Sequence, residues 1–362
     1  MRRKFGFPMV NGEEKRIHNY SGSILIVSLW ILTIFVLLVL SLGYRSNLEA
    51  TLSVREKEYF DAEQILFSGI NVARYYINAD EEPSVDSTYD TWYNQIKIAE
   101  DVWPSGSLSI RIVDEESKIS INQAKERELT SLFLYIEEEI GAIEVSTEDL
   151  VSSILYWRGD SSIKGKSSLG YDYKKEPFES LEELLLLPDI TEADFVLIKD
   201  YLTVYTDSGN TGILTINLNT ASLPVLKSVI ISLSGDEQRK KELFKHIVEF
   251  RLKAGEYNEA NNEGDGQKSE EREQYYFTDK DLTAHNFLAC LGMSSDVINI
   301  SLVIQLLQHC TIDSKYFSVT IDVTIKNRPR FRTVEVMLGP ARGGVGGSES
   351  EGMLDVFSWR EL

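Results

Sequence analysis

The chain has 362 residues, enough for one large or two medium domains with a substantial core, and its net charge is −20. The charge is unevenly distributed, because residues 1–22 hold five basic and two acidic side chains and no charged residue lies between Ser23 and Tyr44. The rest of the chain therefore carries −23. An acidic body of this size repels phosphate backbones, so the composition argues against nucleic acid as a partner.

A long apolar run lies near the amino terminus. From Ile24 to Leu42 it is interrupted only by two serines and a threonine, and about 20 apolar residues span the hydrocarbon core as a helix. The run is too long for the apolar region of a secretory signal peptide, and "SLGYRSNLEA" after it is a poor cleavage site. The basic residues before the run predict a cytoplasmic amino terminus and an exported body. A plain signal anchor explains the run equally well.

The helix is predicted to continue beyond the apolar run as an amphipathic helix. Apolar residues recur there at three- and four-residue spacing with charged residues between them. No proline or glycine-rich break interrupts this pattern, so we expect one long helix that ends near Asn78. The apolar positions are Leu48, Leu52, Tyr59, Ala62, Leu66, Ala73 and Ile77.

Strand patterns flank a helical block in the rest of the chain. Apolar and polar residues alternate in "SLSIRIVDEE", and again in "YFSVTIDVTI", "FRTVEVML" and "LDVFSWREL" near the carboxyl terminus. Between Lys118 and His309 the periodicity is helical, with segments near 123–138, 147–157, 179–187, 191–205, 221–233, 236–253, 279–291 and 297–309. The sequence predicts an α+β fold: a long helix leads a small α+β head, into which a large all-α domain is inserted.

A short pattern occurs twice in the helical block. "ISINQA" begins at Ile119 and "INLNTA" begins at Ile216, each after a turn and before a helix. The agreement favours a duplicated helical unit over two ordinary helix starts. Asn122 and Asn219 are predicted to cap the helices that follow them.

Seven short motifs, in order and spacing, resemble one protein family. They are "GSILIVSLW" at 22–30, "DEESKISINQA" at 114–124, "SILYWRGD" at 153–160, "PFESLEELLLLPDIT" at 177–191, "INLNTA" at 216–221, "SKYFSV" at 314–319 and "FSWREL" at 357–362. Together they resemble the minor pseudopilin K family of bacterial type II secretion systems (general secretion pathway protein K). The motifs extend from the apolar run to the last residue, so the resemblance covers nearly the whole chain.

The resemblance implies a division of the chain and a structural function. The implied parts are a prepilin leader (1–22), the transmembrane part of the long helix (23–43), its periplasmic part (44–78), the first part of a pilin-like head (79–117), the inserted all-α domain (118–309) and the carboxyl-terminal strands of the head (310–362). The implied function is that of a minor pseudopilin at the tip of a periplasmic pseudopilus, which supports its assembly and protein export across the outer membrane. The implied location is the bacterial inner membrane, single-pass, with a cytoplasmic amino terminus and a periplasmic body. The implied partners are the minor pseudopilins I and J, the prepilin peptidase and the secretion assembly platform.

Three residues carry the site predictions of the resemblance. A prepilin peptidase is expected to cleave after Gly22, which leaves Ser23 as the N-methylated first residue. Ser21 departs from the family, in which a basic residue often precedes the glycine. The fifth mature residue is normally glutamate in pilin-like subunits, but here it is Val27. We interpret Val27 as a marker of a tip position.

Calcium is the one cofactor that the sequence raises, and no other is expected. The loop after Trp157 has fewer acidic residues than the family, with Asp160 and Asp172 remaining, so calcium binding there is in doubt. A second candidate, "EANNEGDGQKSE" at 259–270, partly fits the calcium-loop template of oxygen ligands around a central glycine. Gly266 at a normally apolar position favours a solvated acidic loop instead.

Other function classes have weaker support. A minor pilin of a type IV pilus is the alternative within the same class. From another class, "LLLPDIT" suggests a membrane-anchored helix-hairpin-helix DNA receptor. In that motif a glycine lets the backbone approach a phosphate. Here Asp189 occupies the glycine position, and its negative charge would repel the phosphate.

An enzyme is not expected. The four histidines (His18, His246, His285 and His309) stand singly, and no HExxH, GxSxG or GxxxxGK[ST] motif occurs. The only two cysteines, Cys290 and Cys310, form either one bridge or two free thiols.

Overall fold

The computed structural model describes residues 21–80, 82–98, 106–160, 173–187, 190–205, 213–261, 276–325, 328–340 and 354–361. The predicted leader, apart from its last two residues, lies outside this part of the chain. The chain divides into two compact units, Met1–Asp61 and Ala62–Leu362. The first helix, α1, comprises Ser21–Asn78. The prediction of one uninterrupted helix that ends near Asn78 is confirmed.

The second unit contains a mixed set of strands and helices after α1. In chain order they are β1 (Ile96–Ile98), β2 (Gly106–Asp114), β3 (Ile119–Ser120), α2 (Glu126–Glu139), α3 (Thr147–Trp157), α4 (Glu192–Ile198), β4 (Leu202–Thr203), β5 (Ile216–Asn217), α5 (Leu223–Ser232), α6 (Glu237–Asn261), α7 (Ala284–Cys290), α8 (Val297–Leu307), β6 (Cys310–Thr311), β7 (Phe317–Ile325), β8 (Arg328–Pro340) and β9 (Leu354–Glu361). Single 3₁₀ turns lie at Glu115–Ser117, Leu181–Leu186, Lys199–Tyr201 and Asp279–Asp281. The predicted α+β class is confirmed.

The head is a five-stranded antiparallel sheet in the order β1-β2-β7-β8-β9. β2 pairs with β7 along its whole length, so that Gly106 lies opposite Ile325 and Asp114 lies opposite Phe317. The chain therefore leaves the sheet at the end of β2 and returns beside the same point at the start of β7. This is the topology of an insertion between two neighbouring strands. The sequence patterns identified β2, β7, β8 and β9 but missed the three-residue edge strand β1.

One face of the sheet packs against the last part of α1. Ala62, Leu66 and Ala73 are fully buried there and form one core with alternate residues of β2, β7 and β8. Gly69 allows the close approach, because a Cβ at this position would lie 3.1 Å from Leu108 Cδ1 and 3.2 Å from Ile321 Cγ2. The predicted apolar stripe of α1 is thus buried only from Ala62 onward. Its earlier members Leu48, Leu52 and Tyr59 are exposed.

The helical region has a second core and consists of two similar units. In the first unit β3 pairs in parallel with β4, and in the second β5 pairs in parallel with β6. The Ile121 amide donates to the Thr203 carbonyl at 2.9 Å, and the Leu218 amide donates to the Thr311 carbonyl at the same 2.9 Å. The predicted duplication is confirmed. The prediction of an all-α insert needs correction, because a short parallel bridge closes each unit, and the second bridge includes residues beyond His309.

The two repeated asparagines do not cap helices as predicted. The Asn122 side chain accepts from the Phe178 amide at 2.8 Å and donates to the Phe178 carbonyl at 2.9 Å. The Asn219 side chain does the same to Phe277, at 2.8 Å and 3.0 Å. Each asparagine side chain therefore binds both the N–H and the C=O group of a phenylalanine in a distant loop. The N-cap positions of α2 and α5 are occupied by Lys125 and Ser222.

An aromatic pair completes each copy. Trp157, at the end of α3, lies over Phe178 with ring centroids 6.1 Å apart, and Phe250 on α6 lies 4.7 Å from Phe277. An arginine follows each aromatic residue: Arg158 donates to the Ile121 carbonyl and Arg251 donates to the Ala221 carbonyl. The asparagine–phenylalanine contact is thus the same in both copies, whereas the two arginines donate to different positions of the repeated motif.

Three predicted helices are shorter than expected. The segment near 179–187 is the 3₁₀ turn Leu181–Leu186, and the one near 191–205 is α4 followed by a 3₁₀ turn and β4. The segment near 279–291 begins with the 3₁₀ turn Asp279–Asp281 and continues as α7. Pro188 follows the first of these segments, and a proline disfavours helical backbone in the residue before it.

Candidate functional site

The first half of α1 is a continuous apolar surface. Every side chain from Ile24 to Leu42 is exposed, although a soluble helix of this composition would be buried in a core. By length and composition α1 can cross a membrane. Since these side chains are exposed in the chain itself, the surface requires lipid or neighbouring subunits to cover it.

The predicted site residues lie together at the start of this surface. Gly22 and Ser23 are in the first turn of α1, and Val27 follows about one turn later. Val27 is 54% exposed and belongs to the apolar surface. Cleavage after Gly22 and methylation of Ser23 remain predictions.

Further exposed apolar side chains follow the apolar run. Leu48, Leu52, Val54 and Phe60 are all exposed on α1. In the second unit, Phe67 is 48% exposed and stacks on Trp359 of β9, with ring centroids 6.4 Å apart. β9 forms one edge of the sheet and is exposed along most of its length. An edge strand with exposed aromatic residues is suited to packing against another chain.

Buried carboxylates join the head to the helical region where the chain leaves the sheet. Asp114, at the end of β2, accepts a hydrogen bond from the Glu116 amide at 2.8 Å and another from the Thr220 hydroxyl. Glu116 accepts from the Tyr316 amide at 3.2 Å. Burial raises the pKa of Asp114 to about 6 and raises the pKa of Glu116 well above its usual value. These groups fix the start of the insertion against its end.

Asp86 belongs to the same junction but lies in the loop after α1. Its Oδ2 accepts from the Ser314 amide at 2.6 Å, and the Ser314 hydroxyl accepts from the Asn217 side chain at 2.8 Å. Burial raises the pKa of Asp86 to about 8, and the negative charge of Asp114 adds to this shift. The loop after α1 is therefore attached both to β5 and to the segment that leads into β7.

Within the part of the chain that the structure describes, the carboxylates of Asp80, Asp86 and Asp90 form a group that could hold a cation. One oxygen from each lies within 4.8 Å of the others. Burial raises the pKa of Asp90 to about 6, and the negative charge of Asp80 adds to this shift. No sequence pattern indicated this group, although the three aspartates recur within eleven residues after the predicted helix end.

The two loops that were considered for calcium, and that the sequence did not favour as sites, are only partly within the described residues. Asp160 forms an ion pair with Arg158 at 3.6 Å, and Asp172 lies outside the described residues. Helix α6 continues to Asn261, so the first positions of the 259–270 loop are helical. The remainder of that loop and Asp189 of the hairpin motif lie outside the described residues.

The cysteines and histidines have structural contacts. Cys290 and Cys310 are both free thiols, and Cys290 donates to Asp281 Oδ1 at 3.0 Å. The His309 Nδ1 atom lies 3.0 Å from the Leu214 carbonyl oxygen, beside the β5–β6 bridge. His18 lies outside the described residues.

Comparison with known proteins identifies the fold. No family model matches the chain, and no curated protein matches its sequence. Among solved structures, the chain is similar to one chain of the crystal structure of the GspK-GspI-GspJ complex from the enterotoxigenic Escherichia coli type 2 secretion system. The identity is 12% and the TM-score is 0.54, over 86% of this chain and 99% of that chain. Over that share of its length, the chain therefore has the fold of the chain in that complex.

Proposed function

We propose that this protein is a minor pseudopilin of a type II secretion system, located at the tip of the periplasmic pseudopilus. In this role it supports assembly of the pseudopilus and export of proteins across the outer membrane. The role is structural, and no catalytic step is assigned to the chain.

The observation that carries the proposal is the combination of α1 with the interrupted sheet. A helix with an exposed apolar first half continues without a break into the core of a head whose sheet is interrupted by a large, mainly helical insertion. A chain of the GspK-GspI-GspJ complex has a similar fold over 86% of this chain, with a TM-score of 0.54. By analogy with that complex, we propose subunits of the I and J type as direct partners.

The proposed location follows from the same helix. The apolar half of α1 spans the inner membrane, the basic residues before it remain in the cytoplasm, and the acidic body lies in the periplasm. The prepilin peptidase and the assembly platform are the partners proposed for processing and insertion. A minor pilin of a type IV pilus would have the same kind of apolar helix as α1. The genes that neighbour this one would distinguish that function from the proposed one.

Val27 supports a position at the tip. An isolated glutamate at this place in an apolar helix is costly unless it is paired. In pilin-like subunits its expected partner is the amino-terminal ammonium of the preceding subunit. A subunit at the tip has no predecessor, so an apolar residue avoids an unpaired charge there.

The tip position is tested with a pair of substitutions at one residue. Val27→Leu should leave secretion unchanged, because it conserves the apolar surface. Val27→Glu should lower membrane insertion, or allow the protein to enter the shaft, where disulfide trapping to the major subunit would detect it. If Val27→Glu changes neither insertion, crosslinking nor secretion, the argument from Val27 is wrong.

The general role is tested by assembly. We expect the full-length protein, coexpressed with the I- and J-type subunits of its own system, to copurify with both. Deletion of its gene should reduce secretion, and the wild-type gene should restore it. Copurification with neither subunit would contradict the proposed function.

A further inference from the structure

A cavity of about 320 Å³ lies between the second copy of the duplicated unit and the loop after α1. Its walls are mainly apolar and aromatic, and one cation lines it. The side chains that matter for its chemistry are Tyr89, Leu223, Val248, Arg251, Leu252 and Tyr276. The rings of Tyr89 and Tyr276 stack with centroids 6.5 Å apart. We call this cavity the Arg251 pocket.

Arg251 is the charged group of the pocket. It is partly buried on α6, and its guanidinium donates to the Ala221 carbonyl at 2.8 Å. Among the residues that the structure describes, no carboxylate forms an ion pair with it. Burial lowers the pKa of Arg251, and only Tyr93 and Tyr89 oppose that shift. A desolvated guanidinium whose neighbours are tyrosines and a single carbonyl still has donors to offer an anion.

The first copy of the duplicated unit provides an internal comparison. Arg158 also directly follows the aromatic residue of its copy, and its guanidinium also donates to a carbonyl of the repeated motif, that of Ile121. There the Asp160 carboxylate lies 3.6 Å from the guanidinium and stabilises its charge. One copy therefore supplies a carboxylate to its arginine from within the chain. In the other copy, the arginine lines an open cavity.

We infer that the Arg251 pocket binds an organic carboxylate with an aromatic or aliphatic body. The guanidinium can hold both carboxylate oxygens in its planar fork. Leu223, Val248 and Leu252 provide an apolar floor, and the rings of Tyr89 and Tyr276 provide flat walls for the body of the ligand. This binding site is independent of the role proposed for α1.

The carboxylate can come from two sources. One is a free organic acid, and the other is the carboxyl terminus of a polypeptide that ends in an apolar residue. Both present the same chemistry to Arg251. A polypeptide terminus requires that the rest of its chain extend out of the pocket, whereas a free organic acid does not. The two sources are therefore tested with separate ligands.

The primary test uses wild-type full-length protein in lipid nanodiscs and calorimetric titration. The probes are 3-phenylpropionate and its neutral amide, 3-phenylpropionamide, which have the same body. We expect the acid to bind at least roughly tenfold more tightly than the amide, because hydrogen bonds to charged groups are among the strong ones. Equal affinity for both probes, or binding of neither, would overturn the inference.

Variants then locate the site. Arg251→Gln should weaken binding of 3-phenylpropionate roughly tenfold or more, and Arg251→Lys should weaken it less because the positive charge is retained. Arg158→Gln is the matched control in the other copy and should bind as the wild type does. If Arg158→Gln weakens binding as much as Arg251→Gln, the site has been assigned wrongly.

The source of the carboxylate is distinguished with peptides. The tripeptide Ala-Ala-Phe with a free carboxyl terminus is compared with its carboxyl-terminal amide. Binding of the free peptide as tightly as 3-phenylpropionate would identify a polypeptide terminus as the ligand. Binding of 3-phenylpropionate alone would identify a small organic acid.

Discussion

Replacing Asp86 by asparagine should make the protein more stable at alkaline pH. Asp86 is 8% exposed, and this burial is the main reason why its pKa is raised from 3.8 to about 8. The groups that act on it are the carboxylates of Asp114, Asp90 and Asp80, which raise the pKa, and the Ser314 amide, which lowers it. Asparagine has nearly the same shape and can still accept from that amide, but it carries no charge.

The direction follows from proton linkage. Because the pKa of Asp86 is higher in the folded state, the folded protein binds more protons than the unfolded chain between pH 3.8 and about 8. The free energy of unfolding therefore falls as the pH rises through this window. At about 1.4 kcal/mol per pKa unit the full shift corresponds to about 6 kcal/mol. Relaxation of the site and water penetration reduce such values, so we expect the asparagine to gain roughly 2–4 kcal/mol between pH 5 and pH 8.5.

The assay is urea unfolding of wild type and Asp86→Asn, followed by tryptophan fluorescence at pH 5 and pH 8.5. The difference between the two proteins should increase in favour of the variant at the higher pH. Asp355→Asn, at an exposed position on β9, is the control and should change stability equally at both values. A variant that is destabilised by the same amount at pH 5 and pH 8.5 would refute the assignment of Asp86 as a buried, neutral acid.

Three further predictions concern the fold. Gly69→Leu should lower the free energy of unfolding by roughly 1–3 kcal/mol in urea, because the leucine side chain would overlap the sheet. The control Gly43→Leu should leave it unchanged, because nothing lies within 4 Å of that position. Equal effects of the two substitutions would contradict this packing. Asn219→Ala removes two buried hydrogen bonds to Phe277 and should lower the free energy of unfolding by about 2–4 kcal/mol in the same assay. A decrease below about 0.5 kcal/mol would show that the loop around Phe277 does not depend on Asn219. A fragment of residues 118–313 should show strong helical circular dichroism and unfold cooperatively. A fragment that ends at His309 should melt at a lower temperature, because it lacks β6. Identical melting temperatures would show that the β5–β6 bridge contributes nothing to stability.

The sequence was informative wherever a periodic pattern extended over many residues. The end of α1 at Asn78 and the long strands β2, β7 and β8 follow from spacing alone, because helices and strands repeat apolar residues at fixed intervals. The three residues of β1 are too few to establish such an interval. The two parallel bridges were missed for the same reason.

The contacts between distant residues could not be predicted in this way. Asn122 and Asn219 have the residue type and position of helix caps, but their partners lie more than fifty residues away. The pKa of Asp86 depends on burial that only the packed loop creates. The duplication was detectable, because the pattern around each asparagine is repeated. The Arg251 pocket was not, because its lining residues come together only in the fold, from the loop after α1, α5, α6 and Tyr276.

The most direct test of the pseudopilin account is the mass of the mature protein. Full-length protein produced in its own cells, or beside its own prepilin peptidase, should be purified from the membrane and examined by intact-mass and amino-terminal fragment mass spectrometry. The account predicts that Ser23 is the first residue and carries an N-methyl group. A protein that retains Met1, or one cleaved beyond Leu42, would contradict it.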